Sequence, residues 1–284
     1  MKWILLLIAG WITITGGLFL GALSGNIAEQ FGLARNYQLL IQGLVMSGIV
    51  VPIILYLYRY VYRLTGEPNR PVYSWKSAYH FFTGALLAIG LATFGFIIAT
   101  SLGWITIEQW HTPDYWFAAL LINMVIAFLY EALPEELALR GMVYDVLRYR
   151  FAAWLAVLLQ TILFLLVPLA TVQLQVFFGL SPGNTINAEY IVLISCFGIC
   201  LQLLRLWTQS LWTSIGFHLA YLEITRVVVM PSSDASILSY NEVESGLGTV
   251  FIALGMIIIG GIIFSLFILG AKRFFGKGYK FNKH

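Results

Sequence analysis

The chain has 284 residues, 60% of them hydrophobic and only 10% charged, with a formal net charge of +3. A water-soluble domain carries about 25% charged residues, so water is excluded as the main solvent. The small charge, with no stretch that interleaves basic and aromatic residues on a soluble face, excludes a nucleic-acid partner.

No Pro/Ser-rich or charge-rich linker divides the sequence, which reads as a single transmembrane domain over 1–284. A helix needs about 20 apolar residues to cross the hydrocarbon core, and only helices or closed barrels satisfy every backbone group there. Apolar runs of helical length predict an all-α polytopic bundle of about eight spans, at 3–23, 38–62, 78–104, 115–133, 152–177, 189–206, 211–229 and 247–269. The first run follows Lys2, is longer than a signal-peptide core and lacks a clear A-x-A site, so it predicts a retained helix. Within it Gly17, Gly21 and Gly25 recur at every fourth residue and predict close approach of a second backbone. The fourth span is expected to continue through Pro134 into a more polar turn. Asn123, Gln160 and Gln202 are expected to hydrogen-bond across helices. Cys196 and Cys200 share one face of the sixth span, a poor geometry for a disulfide, and read as packing residues. His80 and His111 read as interfacial. Nothing in the chain has zinc-ligand spacing, so no metal and no cofactor are predicted.

Orientation follows from the cations, because cytoplasmic loops carry the positive excess. Arg59 stands in the last turn of the second span and Arg63, Arg70 and Lys76 follow it, Arg148 and Arg150 follow the fourth, the sixth ends at Arg205, and Lys272, Arg273, Lys277, Lys280 and Lys283 form the tail. With eight spans all of these share one side. The opposite loops hold Glu29, Glu108, Asp114, Glu189, Asp234, Glu242 and Glu244, with Arg35 and Arg226 the basic exceptions. Both termini are therefore expected in the cytoplasm, in the cell (inner) membrane, with the aromatic and cationic tail against anionic lipid.

Ionisable residues at membrane depth are costly and mark candidate sites. The densest set is YEALPEELALRG. Glu131 and Glu135 are four apart, as are Glu136 and Arg140, while Glu135 and Glu136 point about 100° apart on a helix. Two neighbouring carboxylates in a low-dielectric site do not both ionise cheaply, and an arginine holds one of them charged. That suits a general base beside a fixed orienting charge. The same group also serves simply to bind helices together, since structural ion pairs use the same residues.

Glu135-Glu136-Leu137-Ala138-Leu139-Arg140 resembles the EExxxR signature of the CAAX prenyl proteases and bacteriocin-processing enzymes, a family of multi-helix intramembrane peptidases. VYDVLRYRF resembles the segment that follows this motif, and SLWTSIGFHLAYL resembles the lead and histidine of a later HxxxN motif. The resemblance covers about 123–226. It implies that Glu135 takes the basic role, Glu136 with Arg140 supports it, and His218 donates a hydrogen bond to the oxyanion. Two positions depart from the pattern. Where FxxxH is expected, Phe164-Leu165-Leu166-Val167-Pro168 has proline in place of histidine, and Leu222 stands where asparagine would follow His218. General acid–base help is worth roughly 10² to 10⁴ in rate and one oxyanion donor roughly 10² to 10³. The expectation is a degenerate member, non-catalytic or weakly catalytic, that binds a transmembrane or lipid-linked partner. The alternative is an active glutamate-dependent endopeptidase.

Overall fold

The computed structural model describes residues 2–66, 74–180, 187–229 and 236–275. Arg70, Asp234, Lys277, Lys280 and Lys283 lie outside them. Six long apolar helices come first: α1 Lys2–Gln30, α2 Arg35–Thr65, α3 His80–Ser101, α4 Pro113–Arg150, α5 Ala153–Phe177 and α6 Ala188–Thr208. A shorter helix, α7 Leu211–Ile224, runs on into a π-helical turn, Thr225–Val229. The last is α8, Leu247–Phe274. Among the described residues seven of these helices are long and apolar enough to cross a membrane, as an all-α polytopic bundle requires.

The chain forms two compact units. The first holds Met1–Ser77 and Val125–Gln202. Here the glycine stripe of α1 meets α2. A Cβ on Gly17 would lie 3.0 Å from the Met46 sulfur and nearer still to Val50. One on Gly21 would lie 3.2 Å from the Gln42 carbonyl oxygen, and one on Gly25 would overlap the Gln42 side chain. Absence of side chains therefore sets this crossing, and it buries Ile14, Met46, Val50 and Ile54 completely. The Trp11 indole N–H donates to the Leu163 carbonyl at 3.0 Å and the Asn26 amide to the Leu180 carbonyl at 3.4 Å, so α1 runs parallel to α5.

The fourth helix departs from the sequence expectation. Instead of ending near Leu133 and turning, α4 runs on to Arg150. Proline lacks an N–H, and its ring presses on the carbonyl four residues earlier. The chain accommodates Pro134 by widening: π-helical turns flank it at Phe128–Ala132 and Glu136–Val143. Hydrogen bonds that reach five residues back leave room for a ring that an α-helix would reject.

The second unit holds Ala78–Met124 and Leu203–His284. Its helices α3 and α7 touch backbone to backbone. A Cβ on Gly84 would lie 2.8 Å from the Phe217 nitrogen, and one on Gly216 2.8 Å from the Phe81 carbonyl carbon, with the Thr213 and Phe81 oxygens closer still. At one end, β1 Ile105–Trp110 pairs antiparallel with β2 Leu238–Glu242, Ile105 opposite Glu242 and Trp110 opposite Leu238. Neither strand is among the predicted elements.

Three bonds fix the levels of α7. The Ile237 N–H donates to the Val227 carbonyl at 3.1 Å and the Tyr240 hydroxyl to the Val229 carbonyl at 2.6 Å, so its far end meets the ribbon. The Lys272 ammonium, at the end of α8, donates to the Trp207 carbonyl at 2.9 Å, just before α7 begins. α8 starts beside the ribbon, where the Glu242 carboxylate accepts from the Thr249 N–H at 2.7 Å. α7 with its π turn thus runs between the same two levels as α8. Fourteen α-helical and five π-helical residues rise about 28 Å at α-helical pitch, close to the roughly 30 Å of hydrocarbon. The expected eighth crossing is short and interrupted.

Candidate functional site

The acidic motif occupies the widened stretch of α4. Glu136 and Arg140 have no exposed surface, and an Arg140 guanidinium nitrogen stands 3.1 Å from a Glu136 carboxylate oxygen. Every residue from Glu136 to Val143 is buried. The four-residue spacing read from the sequence therefore makes a dry ion pair, of the kind that is strongly destabilising to break because a charge is left buried.

Phe164 of α5 supplies what the sequence did not specify. Its ring centroid lies 3.9 Å from the Arg140 guanidinium carbon, a cation–π stack inside the membrane. α4 and α5 are joined by Phe151 and Ala152, and Arg140, ten residues before Arg150, and Phe164, eleven after Ala153, lie nearly the same distance from that turn. Counting outward in the same register sets Pro168 level with Glu136. The segment read as FxxxH thus lies along the acidic motif, and its fourth residue after phenylalanine, where an imidazole would stand, is a half-buried proline.

Glu135 is half-buried, on a different face from the closed pair. It lies within electrostatic reach of Glu131 on its own helix and of Tyr190 at the start of α6; Tyr130 feels both carboxylates. Glu131 therefore adjoins Glu135 as the spacing predicted. An apolar groove of about 730 Å³ opens between α1 and α5, walled by Trp11, Ile12, Gly16, Ala170, Leu174 and Phe177, with none of the acidic motif in its lining.

In the second unit His218 sits on the buried face of α7, 2% exposed. Ser210 caps that helix, its hydroxyl accepting from the Trp212 N–H. Leu222 is half-buried one turn beyond His218. Its neighbour Glu223 is buried and accepts a hydrogen bond from the Asn123 amide of α4 at 2.8 Å. Asn123 thus bonds across helices as expected. Gln160 and Gln202 do not: both are fully buried, and neither oxygen nor nitrogen of either amide has a hydrogen-bond partner among the described residues. Cys196 and Cys200 are free thiols. His111 bonds the Ser239 hydroxyl at 2.9 Å and stacks on Tyr115 beside the ribbon.

Glu135, Glu136, Arg140 and Phe164 thus fall in one unit and His218 with Leu222 in the other. Of the predicted site residues the structure pairs Glu136 with Arg140 and leaves Glu135 on a different face, and it adds Phe164 over Arg140, whose signal in the sequence was its place in the degenerate second motif. Residues 115–221 match the family model described as type II CAAX prenyl endopeptidase Rce1-like. This overlaps nearly all of the segment, 123–226, over which the motifs carry the resemblance. No curated protein matches the chain.

Proposed function

Given that the chain carries a domain of the type II CAAX prenyl endopeptidase Rce1-like family, we propose that this integral membrane protein binds a transmembrane or lipid-linked partner without cutting it efficiently. One observation carries the reading: Phe164 is stacked on Arg140, so the second motif is in register with the first, and the next turn presents Pro168. A proline side chain accepts no proton and orients no water. The closed pair points the same way, because a Glu136 carboxylate bonded to Arg140 with no exposed surface is held as structure rather than offered to a substrate. Leu222 likewise offers no donor to a developing oxyanion. Binding needs a shaped apolar surface, which these substitutions leave intact, and the groove between α1 and α5 gives an apolar chain such a surface.

The active-peptidase reading draws on Glu135, which is half-buried beside Glu131. Two adjacent carboxylates can divide the work of holding and moving a proton, as paired acids do elsewhere. The purified protein in lipid, incubated with a panel of membrane peptides and prenylated C-terminal peptides and read by mass spectrometry, separates the two. The proposal expects retention of a partner without new termini, unchanged in Glu135→Ala. Turnover that Glu135→Ala or Glu136→Ala abolishes would overturn it.

The proposal includes a topology with both termini cytoplasmic in the cell (inner) membrane, and contacts to membrane lipids. It is supported by Arg148, Arg150, Arg205, Lys272 and Arg273 falling at helix ends that share one side when α7 crosses.

A further inference from the structure

Gln160 of α5 and Gln202 of α6 are buried primary amides at membrane depth, with no exposed surface and no hydrogen-bond partner among the described residues for either oxygen or nitrogen. Their positions are related. α5 and α6 touch at Gly198, where a Cβ would lie 2.9 Å from a Phe164 ring carbon and 3.4 Å from the Thr161 methyl. Gln160 is one turn from Phe164 and Gln202 one turn from Gly198. The helices run in opposite directions: along α6, Tyr190 is in electrostatic reach of Glu131 and Glu135, and Cys200 of Glu136 and Arg140, so α6 follows α4 and opposes α5. One turn down α5 and one turn up α6 therefore lead to the same level, on the Arg150 side of the Phe164–Gly198 contact. Pro168 lies one turn away on the other side, so this is not the position that the second motif would have furnished.

We propose that Gln160 and Gln202 bound a buried water site between α5 and α6. Each amide brings two N–H donors and a carbonyl acceptor, and hydrocarbon offers partners to none of them. Two amides on facing helices that do not bond each other are joined by water, which donates and accepts at once and is retained where two to four polar groups converge. Thr161 does not compete, because its hydroxyl donates to the Val157 carbonyl within its own helix. The water lies one turn from the Arg140–Phe164 stack. It stands whether or not the chain cuts peptides.

Radiolytic footprinting of the full-length protein in lipid nanodiscs tests this, because hydroxyl radicals formed from bound water modify the side chains beside it even when bulk solvent has no access. Leu201, fully buried and next to Gln202, and Phe164, 5% exposed, are the reporters; Phe217, fully buried in the other unit, is the dry reference and Trp110 the solvent-facing one. The expected result is modification of both reporters at a rate nearer that of Trp110 than of Phe217, and loss of it in a Gln160→Met, Gln202→Met double variant. Reporters as unreactive as Phe217 in the native protein would overturn the proposal, as would full reactivity retained in the double variant. Should that variant fail to fold, the native rates against Phe217 decide alone.

Discussion

Arg140 carries a full charge with no exposed surface, bonded to Glu136 on one side and faced by the Phe164 ring on another. The two contacts differ in kind, and substitutions separate them. Arg140→Leu leaves the Glu136 carboxylate buried without its counter-charge, a change that costs about 3–5 kcal/mol. Phe164→Leu keeps an apolar side chain and removes mainly the ring face, for which about 0.5–2 kcal/mol is expected. Thermal unfolding in detergent should therefore show a large fall in midpoint for the first and a smaller one for the second; an unchanged midpoint for Arg140→Leu would place the pair in water. A second residue answers to pH. Tyr240, outside the spans, is raised above the ordinary tyrosine pKa of 10.0, chiefly by burial; the Thr249 hydroxyl bonded to it pulls the other way, and Glu242 adds to the rise. The folded protein thus keeps the phenol neutral where the unfolded chain would ionise it. Its contribution is fully present below about pH 10 and is lost as pH climbs through the folded value. Alkaline melting curves should lose part of that dependence in Tyr240→Phe, and a profile identical to the native one would refute the assignment.

Among the helices, glycine decides which pairs come close. α3 and α7 cross at Gly84 and Gly216 with carbonyls already against the missing side chains. Backbone cannot step aside as a flexible side chain can. Gly84→Ala and Gly216→Ala should each destabilise by at least the roughly 1–3 kcal/mol typical of overpacking. Gly48 and Gly90, where an added Cβ would meet nothing within 4 Å, should accept alanine without loss. Four melting midpoints measured side by side in one detergent test the contrast, and equal effects at all four would show that proximity is not the cause. α4 illustrates the complementary device. Where glycine lets helices approach, the π turns at Phe128–Ala132 and Glu136–Val143 let one helix pass a proline and still deliver Glu136 and Arg140 inward.

Across the whole molecule, the side on which each end lies turns on α7. Seven long helices would put the termini on opposite sides, and an eighth crossing restores them to one. The bonds from Lys272 to Trp207 and from Tyr240 to Val229 place the two ends of α7 at the levels of the two ends of α8, which favours eight. With Cys196 and Cys200 replaced by alanine, single cysteines at Lys76 and Glu242 should label from opposite faces, and reporters fused to the two termini should both read cytoplasmic. Labelling of both cysteines from one face would remove the topology.

The placement of the apolar helices along the chain, the glycine face of α1 and the pairing of Glu136 with Arg140 were legible in the sequence, since each depends on runs or spacings along one segment; the full length of α4 and the shortness of α7 were not. The motifs also carried the resemblance that the family model matches over residues 115–221, because a short signature such as EExxxR is a local spacing. Other features depend on what a distant segment presents. Nothing near Phe164 announces that its ring will cover Arg140, and nothing near Ile105 or Leu238 announces the ribbon, for pairing between short strands is chosen across space. Pro134 reads locally as a helix end, yet the burial of Glu136–Val143 just beyond it makes continuing through it favourable. Gln160 and Gln202 read as cross-helix donors, and the facing helices give them no such partner. Local patterning determined which segments enter the membrane and with what chemistry; only the packing of helix against helix decided which polar groups meet, because in hydrocarbon a hydrogen bond exists only where another segment supplies its second half.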